Sequence, residues 1–168
     1  METARLPIED PPEFIPWEPT TPYEIERNKP RPSVNHSRIQ LNLCMEFAKQ
    51  REFSVYPELD IKLDGRDFTP DVSVYPHEPF RQFQDVIRRP DAPLLIVEIL
   101  SGRQGTFDIY EEIEWYLAHG VKSAWMIIPL GSAVVIYAPD GSVQTHQATG
   151  VITDPATGIH ADFAAVLS

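Results

Sequence analysis

Glu98 stands inside an apolar run, and that placement constrains the chain more than any other single feature. The run, Leu94 to Leu100, is bounded by Pro93 and by Ser101-Gly102, the pattern of a fully buried strand. An ionised side chain buried there costs several kcal/mol, on the order of the penalty for a buried ion, unless a metal, a cation or a set of hydrogen bonds receives it. The fold must therefore bring a partner to Glu98.

The residues that follow read as loop, helix and strand. Thr106 and Asp108 are both candidate N-caps, and Asp108 with Glu111 has capping-box spacing. Ile109, Ile113, Tyr116 and Leu117 form one apolar helix face, and Gly120 stands where a left-handed C-cap belongs, so the helix is expected to run to about His119. Ser123 to Ile128 is a second apolar strand. Strand, crossover helix and strand in this order favour parallel pairing with a right-handed crossover, in a sheet covered on both faces.

Upstream, eight of the 17 prolines precede Ser33, so residues 1–32 are expected to form an extended arm without regular helix, and residues 33–168 one α/β domain. Phe14, Ile15, Trp17 and Tyr23 are apolar enough for the arm to lie along the domain, or along a second subunit in a homo-oligomer. Arg27, Lys29, Arg31 and Arg38 add four cations without an intervening acid, either as a solvated face or as a patch touching phosphates.

Asn35 is a candidate cap for a helix to about Gln50, with Ile39, Leu43 and Phe47 on its buried face and His36 in its first turn as a local hydrogen-bonding group. Phe53 to Tyr56 and Leu59 to Leu63 read as strands. Asp64-Gly65 then turns the chain into a return strand from Phe68 to Tyr75, which puts Asp71, Ser73 and Tyr75 on one face and Val72 and Val74 on the other. A short helix is expected within Phe80 to Arg88, a hairpin across Pro139-Asp140-Gly141, and a capped helix from Asp162.

The formal charge of -11 is opposite in sign to that of a nonspecific nucleic-acid binder. No run reaches the roughly 18 apolar residues of a membrane span, and the N-terminus lacks a signal-peptide pattern, so a soluble, cytoplasmic protein is expected. The single cysteine, Cys44, lies on a predicted helix face and reads as a packed thiol.

Two acids, Asp71 and Glu98, fall near the middle of strands that look adjacent. Such a pair suits a hard divalent cation, Mg²⁺ or Mn²⁺, which takes one or two protein carboxylates and keeps water or phosphate at its other positions. The competing reading makes Asp71 a turn acid after Pro70 and pairs Glu98 with an arginine.

The segments TPDVSVYP, LLIVEILSGRQGTFDIYEEIEWYLAHGVKSAWMI and PYEIERNKPRPSVNHSRIQ together resemble the restriction-endonuclease-like Uma-two family, a branch of the PD-(D/E)xK nuclease superfamily. The resemblance covers roughly Tyr23 to Tyr137. It implies a restriction-endonuclease-like core, a mixed central sheet flanked by helices, that hydrolyses DNA phosphodiester bonds with Mg²⁺ or Mn²⁺. It makes Asp71 and Glu98 metal ligands and carries over Asp108, at the start of the following helix, and Glu24, before the first long helix, as further site residues.

One departure stands out. The superfamily's catalytic lysine, two residues after the second acid, is Leu100 here, and the alternative lysine of the Uma-two branch, four residues after the helix aspartate, is Glu112. A glutamate does not stabilise the charge of a pentavalent phosphorus, though it can serve as a base or as a further metal ligand. Glu112 is expected one helical turn from Asp108, facing Glu98. Arg103 and Lys122 are the available cationic substitutes. Two functions follow: a metal-dependent endonuclease, or a catalytically inactive binding or regulatory module that keeps the nuclease fold.

Overall fold

Five consecutive buried residues, Leu95–Ile99, form the strand around which the sheet is arranged. A computed structural model describes residues 18–27, 29–102 and 104–168 of the chain. Its elements are, in order, α1 (Pro22–Arg27), α2 (Val34–Ala48), β1 (Phe53–Pro57), β2 (Asp60–Leu63), β3 (Arg66–Phe68), β4 (Val72–Pro76), β5 (Arg88–Arg89), β6 (Leu95–Ile99), α3 (Thr106–Ala118), β7 (Ser123–Ile128), β8 (Ala133–Tyr137), β9 (Val143–Gln147), β10 (Val151–Thr153), β11 (His160–Asp162) and α4 (Phe163–Val166). Six strands make the central sheet, in the order β1-β4-β6-β7-β8-β9, while β10-β11 and β3-β2-β5 form small separate sheets.

The central sheet is mixed. Only β6 and β7 pair in parallel, as the strand-helix-strand pattern predicts, and α3 is the crossover between them. One sheet face carries Val72, Val74, Val97, Ile99 and Trp125, packed with Ile39, Leu43 and Phe47 of α2 and with Phe163 and Val166 of α4. The other carries Ile96, Ala124 and Met126, packed with Ile109, Ile113 and Tyr116 of α3. Both helical faces are those read from the apolar spacing. Gly120, at φ +105°, closes α3 with a Schellman turn, in which the Val121 N–H donates to the Tyr116 carbonyl at 3.1 Å.

Several local expectations are corrected. A helix, α1, does form within the proline-rich segment. Pro22 opens it, where a missing N–H costs nothing, and Thr21 and Glu24 cap it reciprocally: the Thr21 N–H donates to Glu24 Oε2 at 3.0 Å and the Glu24 N–H to Thr21 Oγ1 at 3.3 Å. Phe14, Ile15 and Trp17 lie outside the described residues. The cap of α2 is Ser33, whose hydroxyl accepts the His36 N–H at 3.2 Å, and not Asn35. Gly105 begins α3 without a side-chain cap, so neither Thr106 nor Asp108 serves as its N-cap.

The return strand is broken in two. Asp64 and Gly65, both at positive φ, make the tight turn from β2 to β3, but Thr69 and Pro70 interrupt the run, and β4 joins the central sheet instead. Residues 80–87 form no helix, and Phe80, Phe83 and Ile87 point to solvent, since no neighbouring surface covers an apolar face there. The carboxylate of Asp154, 1 % exposed, is fully used: it accepts from Ser123, from Trp125 Nε1 at 2.8 Å, and from the Ala156 and Thr157 N–H groups and the Thr157 hydroxyl. Cys44 packs at the edge of the α2 core, and burial pushes its thiol up to about 11, as suits an inert thiol. Among the described residues no helix is long and apolar enough to cross a membrane.

Candidate functional site

The antiparallel register of β4 and β6 sets Val72 against Val97, and continued by one residue it sets Asp71 against Glu98. Alternation along β6 directs Glu98 toward α3, away from the face of Val97 and Ile99, while Asp71, just before β4, turns its carboxylate to the sheet end where His36 of α2, the Ile99 N–H and Lys29 meet it. The two meet at one atom. Lys29 Nζ lies 2.6 Å from Glu98 Oε2 and 3.7 Å from Asp71 Oδ1, and it donates to the Thr69 carbonyl at 3.0 Å. Glu98, 1 % exposed, thus has its cation, and the cation comes from neither an arginine nor either superfamily lysine position.

Asp71 is held on every side but one. Its carbonyl accepts from Gln40 Nε2 at 2.8 Å and from the Glu58 N–H at 3.2 Å. Its Oδ2 accepts the Ile99 N–H at 2.6 Å, and His36 Nε2 lies 3.2 Å from the same oxygen. An ionised carboxylate only accepts, so the His36 proton belongs on Nε2. Burial raises the Asp71 carboxyl, but the Lys29 ammonium, His36 and the Ile99 N–H together hold it below the usual aspartate range. Oδ1 remains, facing Lys29.

Glu98 is held from the helix side. Tyr116 Oη lies 2.9 Å from Glu98 Oε1 and 3.2 Å from Glu112 Oε2. A phenol has one hydrogen to give, so satisfying both contacts requires one of the two carboxyls to be protonated and to donate in return. The electrostatics of the cluster agree. Burial lifts Glu98 to about 8, with Asp71 and Glu112 adding to the rise and Lys29 opposing it, and burial also raises Glu112. Glu112 therefore does face Glu98 from α3, through Tyr116. Three carboxyls share one ammonium, an excess of two negative charges when all are ionised, which is the charge of one divalent ion; the field of Arg66 also reaches Glu112.

Glu24 and Asp108 stay apart from this cluster. Every hydrogen bond described for the Glu24 carboxylate is to Thr20 or Thr21, and these, Thr21 first, lower it to about 2. Asp108 is exposed in the first turn of α3 and folds back over Gly105, where a Cβ would meet its Oδ2 at 3.2 Å. Of the cationic substitutes, Arg103 lies outside the described residues. Lys122 is exposed at the start of β7, where its N–H pairs with the Leu94 carbonyl, at the opposite end of β6 from Glu98. Leu100 packs at the margin of the α3 core.

Beside Lys29 and Asp71 lies a cavity of about 20 Å³, enough for one water-sized group, lined also by Tyr23, His36, Ser101 and Gln104. Two of these lining residues each carry a buried atom, His36 Nδ1 and Ser101 Oγ, without a hydrogen-bond partner among the described residues. Asp71 Oδ1 and Glu98 Oε2 are hard oxygen donors suited to Mg²⁺ or Mn²⁺. No group of three or more His, Cys, Asp or Glu among the described residues forms a ready metal shell, so this pair would leave the remaining positions to water and phosphate, as Mg²⁺ prefers.

Sequence reasoning missed Lys29 and His36 as site residues. Lys29 had only its membership of a basic segment to mark it. His36 had a sharper signal, a histidine on the same face of α2 as Ile39 and Leu43 and hence directed inward.

A family model described as Uma2, "Putative restriction endonuclease", matches residues 23–165. A solved structure from Anabaena variabilis, titled a putative nuclease belonging to DUF820, is similar with a TM-score of 0.69 and 24% identity, over 83% of each chain. At that identity the likeness shows the fold. Among curated proteins nothing matches.

Proposed function

Because the chain belongs to the Uma2 family of putative restriction endonucleases, we propose that it hydrolyses DNA phosphodiester bonds with a divalent cation, Mg²⁺ or Mn²⁺, at Asp71 and Glu98. The supporting observation is that Asp71 Oδ1 and Glu98 Oε2 converge on a single cationic atom, Lys29 Nζ, beside a polar cavity. When bound, a divalent ion supplies Lewis-acid polarisation of the phosphoryl oxygen and offsets the charge of the transition state.

The chain's own residues do the rest. His36 and the Ile99 N–H fix Asp71, and Tyr116 fixes Glu98, so the carboxylates need no reorganisation as charge develops. In the reaction a water oxygen bonds to phosphorus and one bridging P–O bond breaks. The water's proton passes to solvent and the leaving oxygen is protonated from solvent, while Glu112, which shares the Tyr116 hydroxyl with Glu98, steadies that side of the pair. Arg31 and Arg38, both exposed, offer contacts to the DNA backbone in a chain whose overall charge opposes such binding.

One observation favours a second reading, a catalytically inactive binding or regulatory module: neither Leu100 nor Glu112 can stabilise the phosphoryl charge as a lysine does. Incubation of plasmid DNA with wild type and with Asp71→Asn, in Mg²⁺, Mn²⁺ and EDTA, separates the two. The endonuclease reading expects nicking or linearisation by wild type in either metal, lost in EDTA and in the variant. Intact plasmid throughout, with a folded wild type, leaves the second reading.

A further inference from the structure

The superfamily lysine positions are empty, yet an ammonium is present in the site. We propose that Lys29, delivered by the segment between α1 and α2, is the cation that contacts the substrate phosphate, in place of a lysine on the strand or the helix. This rests on the endonuclease reading and deepens it.

The geometry supports the assignment in three ways. First, Lys29 is positioned: the Thr69 carbonyl at 3.0 Å and Glu98 Oε2 at 2.6 Å take two of its three N–H donors, and its side chain is only 14 % exposed. Among the described residues the third donor has no partner within hydrogen-bond distance, since Asp71 Oδ1 lies at 3.7 Å. Second, Lys29 lines the small cavity together with Ser101 and His36, so a phosphate oxygen or attacking water there would lie among an ammonium, a hydroxyl-bearing and an imidazole side chain. Third, the backbone around it is restrained. Pro30 follows Lys29 directly and Pro32 comes two residues later, both line the same cavity, and each fixes its own φ, so the segment holds its course past the site with little conformational freedom to lose.

An ammonium between two carboxylates could instead act as a plug that a metal must displace. The two roles part on substitution. A phosphate-contacting lysine makes DNA cleavage fall when it is removed, whereas a plug makes cleavage rise. Both roles leave Mg²⁺ affinity equal or tighter once the competing charge is gone.

The test compares wild type, Lys29→Met, Lys29→Arg and the double variant Lys29→Met/Glu112→Lys. Three readouts are used: plasmid cleavage in Mg²⁺, calorimetric Mg²⁺ titration, and anisotropy of a labelled DNA duplex in Ca²⁺. Lys29→Met is expected to lose about 10²- to 10³-fold in cleavage rate, the usual effect of removing one donor to a transition-state oxyanion. Its Mg²⁺ affinity should be retained and its DNA affinity in Ca²⁺ should fall. Lys29→Arg keeps part of the rate, and in the double variant a lysine reaching in from α3 restores at least about tenfold over Lys29→Met.

Cleavage by Lys29→Met at or above the wild-type rate overturns the proposal. If Lys29→Met does not fold, Lys29→Arg and the double variant decide, and wild-type DNA affinity and rate in a folded double variant would overturn a role specific to this position. Should wild type itself cut nothing, the hydrolytic reading falls separately, and unchanged DNA affinity of Lys29→Met in Ca²⁺ then overturns the role of Lys29.

Discussion

Lys29 and Glu98, 69 residues apart in the chain, meet at 2.6 Å inside the sheet-helix interface. The contact answers the difficulty set by a carboxylate in an apolar strand, and it does so with a tethered cation whose segment also carries Tyr23, Pro30 and Pro32 to the cavity. The protein's own charge balance is then left incomplete, with Asp71, Glu98 and Glu112 around one ammonium.

That imbalance makes metal-free stability depend on pH. Glu98, raised from 4.5 to about 8, and Glu112, also raised, bind more protons in the folded than in the unfolded chain across that window. Their contribution is fully present near pH 4.5 and is lost as pH rises through about 8. Asp71, lowered, acts in the opposite sense as pH falls below its ordinary value of 3.8. The metal-free melting temperature is therefore expected to be higher near about pH 5.5 than near about pH 8.5, and Glu112→Gln is expected to flatten the difference. Thermal melts of both proteins in EDTA measure it; equal slopes would show that the cluster does not titrate.

Glu24 is predicted to act through helix capping. Glu24→Gln keeps the capping-box acceptor and should cleave DNA like wild type, whereas Glu24→Ala and Thr21→Ala should both impair cleavage by loosening the segment that carries Lys29. Relative cleavage rates of the three variants check this. Loss of activity in Glu24→Gln with an unchanged melting temperature would instead put the carboxylate in the chemistry.

Asp154 is predicted to be structural. Asp154→Ala strands the buried Ser123 hydroxyl and Trp125 N–H and should cost at least about 2 kcal/mol in denaturant unfolding, since each unpaired buried donor carries a penalty of that order. DNA cleavage at low temperature, where the variant remains folded, should be preserved.

The fold was legible where local pattern and tertiary packing agree. The apolar run of β6, the stripe Ile109-Ile113-Tyr116 and Gly120 each specify one outcome, and the parallel β6–β7 pair follows from their order. The acids Asp71 and Glu98 could be paired because Glu98 stands within β6 and Asp71 directly before β4, and the register of the two strands brings these positions side by side. Lys29 could not be found that way. Its partners Glu98 and Thr69 are remote in sequence, and nothing local separates a buried lysine from a solvated one. The helix α1 was hidden for a different reason: counting prolines obscured that Thr21-Pro22-Tyr23-Glu24 is a capping box with proline at the first helical position. The break between β3 and β4 and the irregular 80–87 segment depend on which sheet each short piece can reach.

The most direct test of the central claim, that Asp71 and Glu98 jointly hold one divalent ion, is calorimetric titration of Mg²⁺ and Mn²⁺ into wild type, Asp71→Asn and Glu98→Gln. Wild type is expected to bind one ion per chain, more tightly at about pH 8.5 than at about pH 6.5 because the ion displaces the proton that burial keeps on Glu98. Both variants should lose the site while remaining folded. Binding to wild type that survives in both folded variants, or no binding to wild type at any pH where it is folded, would contradict it.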